Sequence, residues 1–125
     1  NHFVMQKSPR FFKVVYLSIL PKIRKAIKSF QPDILHSHYI SSYGVLGALT
    51  GFHPYVISIW GSDIYRFPHR SFLNRLLIKN TLKRADAILS TSKNMVDQIK
   101  RFTSKPVEIV PFGIDTDSFQ KNLWY

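Results

Sequence analysis

The stretch ADAILSTSKNMVDQIKRF, Ala85 to Phe102, contains one whole unit of a fold. ADAILSTS is a short apolar run that ends in small hydroxyl residues, and it reads as a buried strand. The Ser92 side chain can accept a hydrogen bond from the backbone of a new helical turn, so Ser92 reads as a helix N-cap. Behind it Met95, Val96, Ile99 and Phe102 recur at helical spacing and make one apolar stripe. A strand that passes through a few residues into an amphipathic helix is the first half of a βαβ crossover.

The same alternation extends in both directions. After the break QPD, ILHSH reads as a strand. YISSYGVLGALTG reads as a helix in which Gly44, Gly47 and Ala48 allow close approach to a neighbour and Gly51 supplies the stop. PYVISIW is a strand closed by GSD. Beyond Pro68, SFLNRLLIKNTLKR is a helix whose Arg75, Lys79 and Lys83 lie four apart on one face. KPVEIVPFG is the last strand. Upstream, from Phe11 to Phe30, Phe12, Tyr16, Ile19, Ile23, Ala26, Ile27 and Phe30 share one side of a helix. Lys13, Arg24, Lys25 and Lys28 fall largely on the other, and Pro21 marks a kink or a fresh start. That helix is either an ordinary surface helix on a core or one that lies on a membrane. The strands are short and apolar on both faces. The expected fold is therefore α/β, a Rossmann-like parallel sheet flanked by helices and covered on both sides.

Composition narrows the function classes. A chain of 125 residues with 45% hydrophobic content fits one folded domain. The absence of cysteine removes disulfide frameworks and thiolate metal sites. The longest near-apolar run, Phe11 to Leu20, is half the length needed to span a bilayer and contains Lys13. The N-terminal residues lack the pattern of a signal peptide. A net charge of +11 fits an anionic partner, whether nucleic acid, acidic lipid or a phosphorylated small molecule, and equally fits a solvated charged face without one. No nucleic-acid recognition motif accompanies the charge, so no nucleic-acid partner is expected.

In an open parallel sheet, ligands bind beyond the carboxyl ends of the strands. His36, His38 and Tyr39 fall at one such end, Trp60, Gly61, Ser62 and Asp63 at the next, Ser90 to Ser92 at the third, and Gly113 to Asp117 at the fourth. His36 and His38 share a face, so they could grip a metal ion if Asp63, His53 or His69 supplied a third ligand. Alternatively one imidazole bonds backbone at the strand end and the other lines a cleft. Asp63 could bind sugar hydroxyls or a cation, or cap the turn that follows it. The dinucleotide, P-loop and nucleophile-elbow fingerprints are all absent.

PDILHSHY with GVLGAL, then PYVISIWGSDIY, RADAILSTSKNMVDQI and PVEIVPFGIDTDSF, taken in this order, resemble the N-terminal domain of retaining GT-B glycosyltransferases of family 4. The resemblance runs from about Pro32 to Phe119, and its most specific part is VEIVPFGIDTDSF. It implies a transferase that moves a sugar from a nucleotide-diphosphate donor to a saccharide or lipid-linked acceptor, without a metal or other cofactor. This chain would be the acceptor side, a partial domain over residues 1–119 with the start of a linker or tail at 120–125, and inactive alone. Its cleft would be lined by His38, Tyr39, Trp60, Gly61, Ser62 and Asp63, with Asp63 the catalytic candidate. Gly113 and Asp115 would lie near the donor domain. Two positions depart from the family pattern: Trp60 stands where many members carry His, and Phe112 where the signature has Asn. Stacking on a sugar face is the natural substitute for the lost His contact.

The resemblance also gives the positive charge a place. A cytoplasmic protein peripheral to the inner face of a membrane would use Lys13, Arg24, Lys25 and Lys28 first, and Arg75, Lys79 and Lys83 second, against anionic lipid. Two alternatives from other classes stay open: a non-enzymatic basic module for RNA or an anionic surface, and a metal hydrolase built on His36 and His38.

Overall fold

A computed structural model describes residues 17–113. Its elements are α1 (Leu20–Phe30), β1 (Leu35–His38), α2 (Val45–Thr50), β2 (Tyr55–Ile59), α3 (Ser62–Tyr65), α4 (Phe72–Arg84), β3 (Ala87–Ser90), α5 (Lys93–Ile99) and β4 (Glu108–Ile109). A π-type turn, Ile40–Gly44, precedes α2, and a 3-10 turn, Phe67–His69, precedes α4. All strands are parallel, in the order β1-β2-β3-β4. The fold is the expected α/β sheet flanked by helices.

The strand order decides which face is covered. Each crossover steps the same way along the sheet, and right-handed crossovers then place every connecting helix on the same side. Ile57 and Ile59 of β2 and Ile88 of β3 form the floor of one core with Ala48, Ile64, Ile78, Leu82, Met95 and Ile99 from the helices above. On the opposite face His36, His38, Trp60 and Val110 are exposed, and Ser58 and Leu89 are half-buried. The expectation of strands buried on both faces is therefore corrected for the described residues. Burial alternates along β2 and β3, because a sheet wound in one direction covers only one side.

Local chemistry starts and stops the elements. Ser92 accepts from the Met95 N–H at 3.3 Å, as the sequence predicts, and Ser71 caps α4 by accepting from the Asn74 N–H at 3.2 Å. Met95, Ile99 and Phe102 of the predicted stripe are buried, with Val96 half-buried. Gly47 brings α2 onto the sheet. A Cβ there would lie 2.5 Å from Ser37 Oγ and 2.7 Å from Tyr55 Cε2. Tyr55 donates to the Gly44 carbonyl at 2.7 Å, and burial pushes its phenol up to about 12, so it stays a donor.

Helix C-termini, at the edge of the sheet where the strands begin, are closed by long cationic side chains. Arg24 Nη2 donates to the Leu49 carbonyl at 2.8 Å and Arg84 Nη1 to the Ala48 carbonyl at 3.2 Å, closing α2. Lys105 Nζ donates to the Lys83 and Ala85 carbonyls at 2.7 and 2.6 Å, closing α4. These carbonyls lack helical partners and carry the negative end of the helix dipole, so a cation suits them.

The first helix departs from its expected packing. It begins at Leu20 with Pro21 in its first turn. Leu20, Ile23 and Ile27 are half-buried, whereas Ala26 and Phe30 stay exposed. Lys13 and the apolar positions Phe12 and Tyr16 lie outside the described residues. Among the described residues no helix is long and apolar enough to cross a membrane.

Candidate binding rim

Because the strands are parallel, their carboxyl ends share one rim. A line of rings crosses the open face there. His36 and His38 lie 4.2 Å apart between centroids, His38 and Trp60 5.3 Å, and Trp60 and Phe112 5.5 Å, the last pair nearly perpendicular at 87°. With Ser58, Leu89, Thr91 and Val110 they line a pocket of about 190 Å³. Strand alternation placed both histidines on one face, as predicted. Sequence reading placed Thr91 at this rim, within Ser90 to Ser92, but named neither Ser58 nor Leu89. The parallel register that pairs His38 with Ser58 and Ser58 with Leu89 puts them on the same face.

His36 Nε2 shares a hydrogen bond of 2.8 Å with the Ser58 hydroxyl. Partial burial, then the neighbouring His38, hold the His36 imidazole below its ordinary range, because each disfavours the charged form. His36 is thus a neutral hydrogen-bonding group at neutral pH. Among the described residues no third His, Cys, Asp or Glu joins the pair to make a metal-binding group. His69 instead lies against Phe102, and His53 pairs with Asp86 at 2.6 Å.

Asp63 sits on the rim loop but does not face the pocket. It is fully buried. One oxygen accepts from the Gly61 N–H at 2.7 Å, the other from the Ile40 N–H at 2.9 Å, and the Trp60 N–H approaches both at 3.3 and 3.4 Å. The sequence expectation of a ligand-facing or catalytic carboxylate is corrected on this point. Of the two readings open at the sequence level, the geometry gives the turn-forming one, extended across to the next loop. Asp63 joins the end of β2 to the turn after β1.

The backbone it holds is unusual. Tyr39 has φ 74°, a region that side chains larger than glycine rarely adopt, and Gly61 has φ 144°. Tyr39 is fixed by its N–H to the Ser58 carbonyl at 2.9 Å, by its carbonyl to the Gly44 N–H at 3.0 Å, and by a 2.6 Å bond between its hydroxyl and that of Ser62. Tyr39 and Ser62 therefore meet, and His38 and Trp60 meet beside them, but of these four only His38 and Trp60 line the pocket. Ser90 is buried with its hydroxyl donated to the Ser92 carbonyl at 3.1 Å. Gly113 is exposed at the far side, and Asp115 lies outside the described residues.

The basic candidates separate. Lys25, Lys28, Lys79 and Lys83 are exposed. Arg75 is also exposed but rests over the Phe102 ring at 5.7 Å, while Arg24 is tied to α2.

Residues 2–92 match a protein family described as glycosyl transferase 4-like. The chain is also 26% identical over 98 residues to TuaC of Bacillus subtilis (strain 168), a protein assigned provisionally as a teichuronic acid biosynthesis glycosyltransferase. That match covers 76% of this chain and 25% of the relative, so the chain spans about a quarter of the length of the curated relative it matches.

Proposed function

The chain belongs to the glycosyl transferase 4-like family, and we propose that it forms the acceptor-side part of a GT-B enzyme that transfers a sugar from a nucleotide-diphosphate donor. The acceptor is a saccharide or a lipid-linked saccharide, and the product enters polysaccharide or glycoconjugate synthesis. The observation that carries this reading is the ring-lined rim pocket, at the strand ends where α/β sheets bind ligands, in a chain of this family. Trp60 offers an aromatic face to the apolar side of a pyranose. His36, Ser58, Tyr39 and Ser62 offer neutral hydrogen-bonding groups suited to hydroxyls. Nothing in this division of labour calls for a resident metal or cofactor, since the nucleotide sugar enters as substrate. On this reading the donor phosphates are bound by another part of the enzyme, and the working site is cytoplasmic.

Full-length protein incubated with labelled nucleotide sugars and a panel of saccharide and lipid-linked acceptors tests the reading. Trp60→Ala should raise KM for the acceptor about tenfold or more, with donor KM little changed. Absence of transfer from every nucleotide sugar, or a Trp60→Ala enzyme with unaltered acceptor KM, would sink it.

A further inference from the structure

We infer that the outward face of α4 is a docking surface for an anionic lipid bilayer. Asn74, Ile78, Thr81 and Leu82 turn one side of this helix into the core. Phe72, Leu76, Lys79 and Lys83 recur at i, i+4, i+7 and i+11, which places them in one stripe on the opposite side. Phe72 is 82% exposed, Leu76 52% and the adjacent Leu73 58%. None of these three side chains belongs to the core among the described residues, and exposed apolar side chains clustered in one turn of helix are the kind of surface that marks an interaction site.

The surrounding charge selects the occupant. Between Asp63 and Asp86 the sequence has six Lys and Arg residues and no acid. A partner must therefore offer negative charge at its surface and an apolar phase just beneath it. A bilayer containing anionic lipid has both, with headgroups for Lys79 and Lys83 and acyl chains for Phe72 and Leu76. RNA provides the charge without the apolar depth.

Helix α1, the other candidate, is arranged less favourably. Its apolar residues Ile23 and Ile27 are half-buried, and Phe30, though 82% exposed, falls on their side of the helix, away from the exposed Lys25 and Lys28. On α4 the apolar and basic residues share one outward stripe. Its N-terminus also follows the rim loop directly, because a helix that crosses between parallel strands runs antiparallel to them. Docking there brings the bilayer to the same end of the sheet as Trp60. The inference rests on surface chemistry and holds whatever sugar is transferred.

The test is co-sedimentation of the full-length protein with vesicles of equal parts phosphatidylglycerol and phosphatidylcholine, beside pure phosphatidylcholine vesicles. It needs no turnover, so it stands or fails separately from the transferase reading. Binding should require the anionic lipid and weaken with salt. The double variant Phe72→Ser/Leu76→Ser should bind at least tenfold more weakly with an unchanged unfolding midpoint, while Lys25→Ser/Lys28→Ser binds nearly as the parent does. A Phe72→Trp variant should gain an emission shift to shorter wavelength with the anionic vesicles, beyond any shift in the parent. Absence of vesicle binding, equal binding by the Phe72→Ser/Leu76→Ser protein, or loss confined to the α1 variant would overturn the proposal. Binding to RNA in place of vesicles would do the same.

Discussion

Trp60 and Phe112 meet edge to face, with ring centroids 5.5 Å apart. Both rings line the rim pocket. Each ring gives the other a wall, so the pair closes one side of the pocket with apolar surface. A double-mutant cycle with Trp60→Ala and Phe112→Ala should yield a coupling of about 0.5–1 kcal/mol in unfolding free energy, at the lower part of the range for aromatic pairs because both rings are partly solvated. Additive single effects would show that the rings merely lie near each other.

Asp63→Ala should destabilise the fold by roughly 3 kcal/mol. The change strands the N–H groups of Ile40 and Gly61 and weakens that of Trp60, and buried unsatisfied donors cost about 1–3 kcal/mol each. Asp63→Asn, which keeps one acceptor oxygen, should fall between. Chemical denaturation reads both. A variant with wild-type stability would mean that the carboxylate is free to serve a ligand after all.

Gly47→Ala tests the seat of α2. The added methyl meets Ser37 Oγ and the Tyr55 ring well inside contact distance, so about 1–3 kcal/mol of overpacking is expected. A thermal midpoint within a degree or so of the parent would show that α2 can lift at no cost.

Acid stability should depend on Asp86. Its carboxylate accepts from the Tyr55 N–H at 2.6 Å and pairs with His53 Nδ1 at 2.6 Å, and these contacts hold it below its ordinary value of 3.8. A carboxyl depressed by folding stabilises the native state fully above the unfolded value. That contribution is lost as pH falls through the folded one. Asp86→Asn should therefore flatten the stability curve below about pH 4. An acid limb that the substitution leaves unaltered would assign the loss to other groups.

His36 should titrate below 6.5 in an imidazole NMR titration, since burial first and His38 second disfavour its cation. His38→Ala removes the like charge and should move that titration upward, without restoring it fully while burial persists. A shift downward would contradict the cause assigned here.

Much of the fold was legible because its signals are local. Ser92 could be read as a cap, Met95, Ile99 and Phe102 as a buried stripe, and Gly47 as a contact glycine, since each depends on neighbours a few residues away. The strand ends that make the rim followed from the parallel alternation alone. The remainder depends on partners distant in sequence. A carboxylate in GSD looks the same whether it faces a sugar or reaches back to Ile40, which is 23 residues away along the chain. YISSYG reads as plain helix, yet the left-handed Tyr39 starts a wider turn. The face of the sheet left open among the described residues follows from strand order, which no short window encodes. The regular period of α1 likewise cannot reveal how little of its apolar side is covered.

The cations that close the helix ends divide the molecule's charge into two kinds. Arg24, Arg84 and Lys105 occupy carbonyls at the edge where the strands begin. Lys79 and Lys83 on α4 have no recorded side-chain partner among the described residues. Lowering the net charge by mutation will therefore have different consequences at the two places. Neutralising the first group weakens long-range attraction and also unfastens helices, whereas neutralising the second weakens that attraction and leaves the architecture alone.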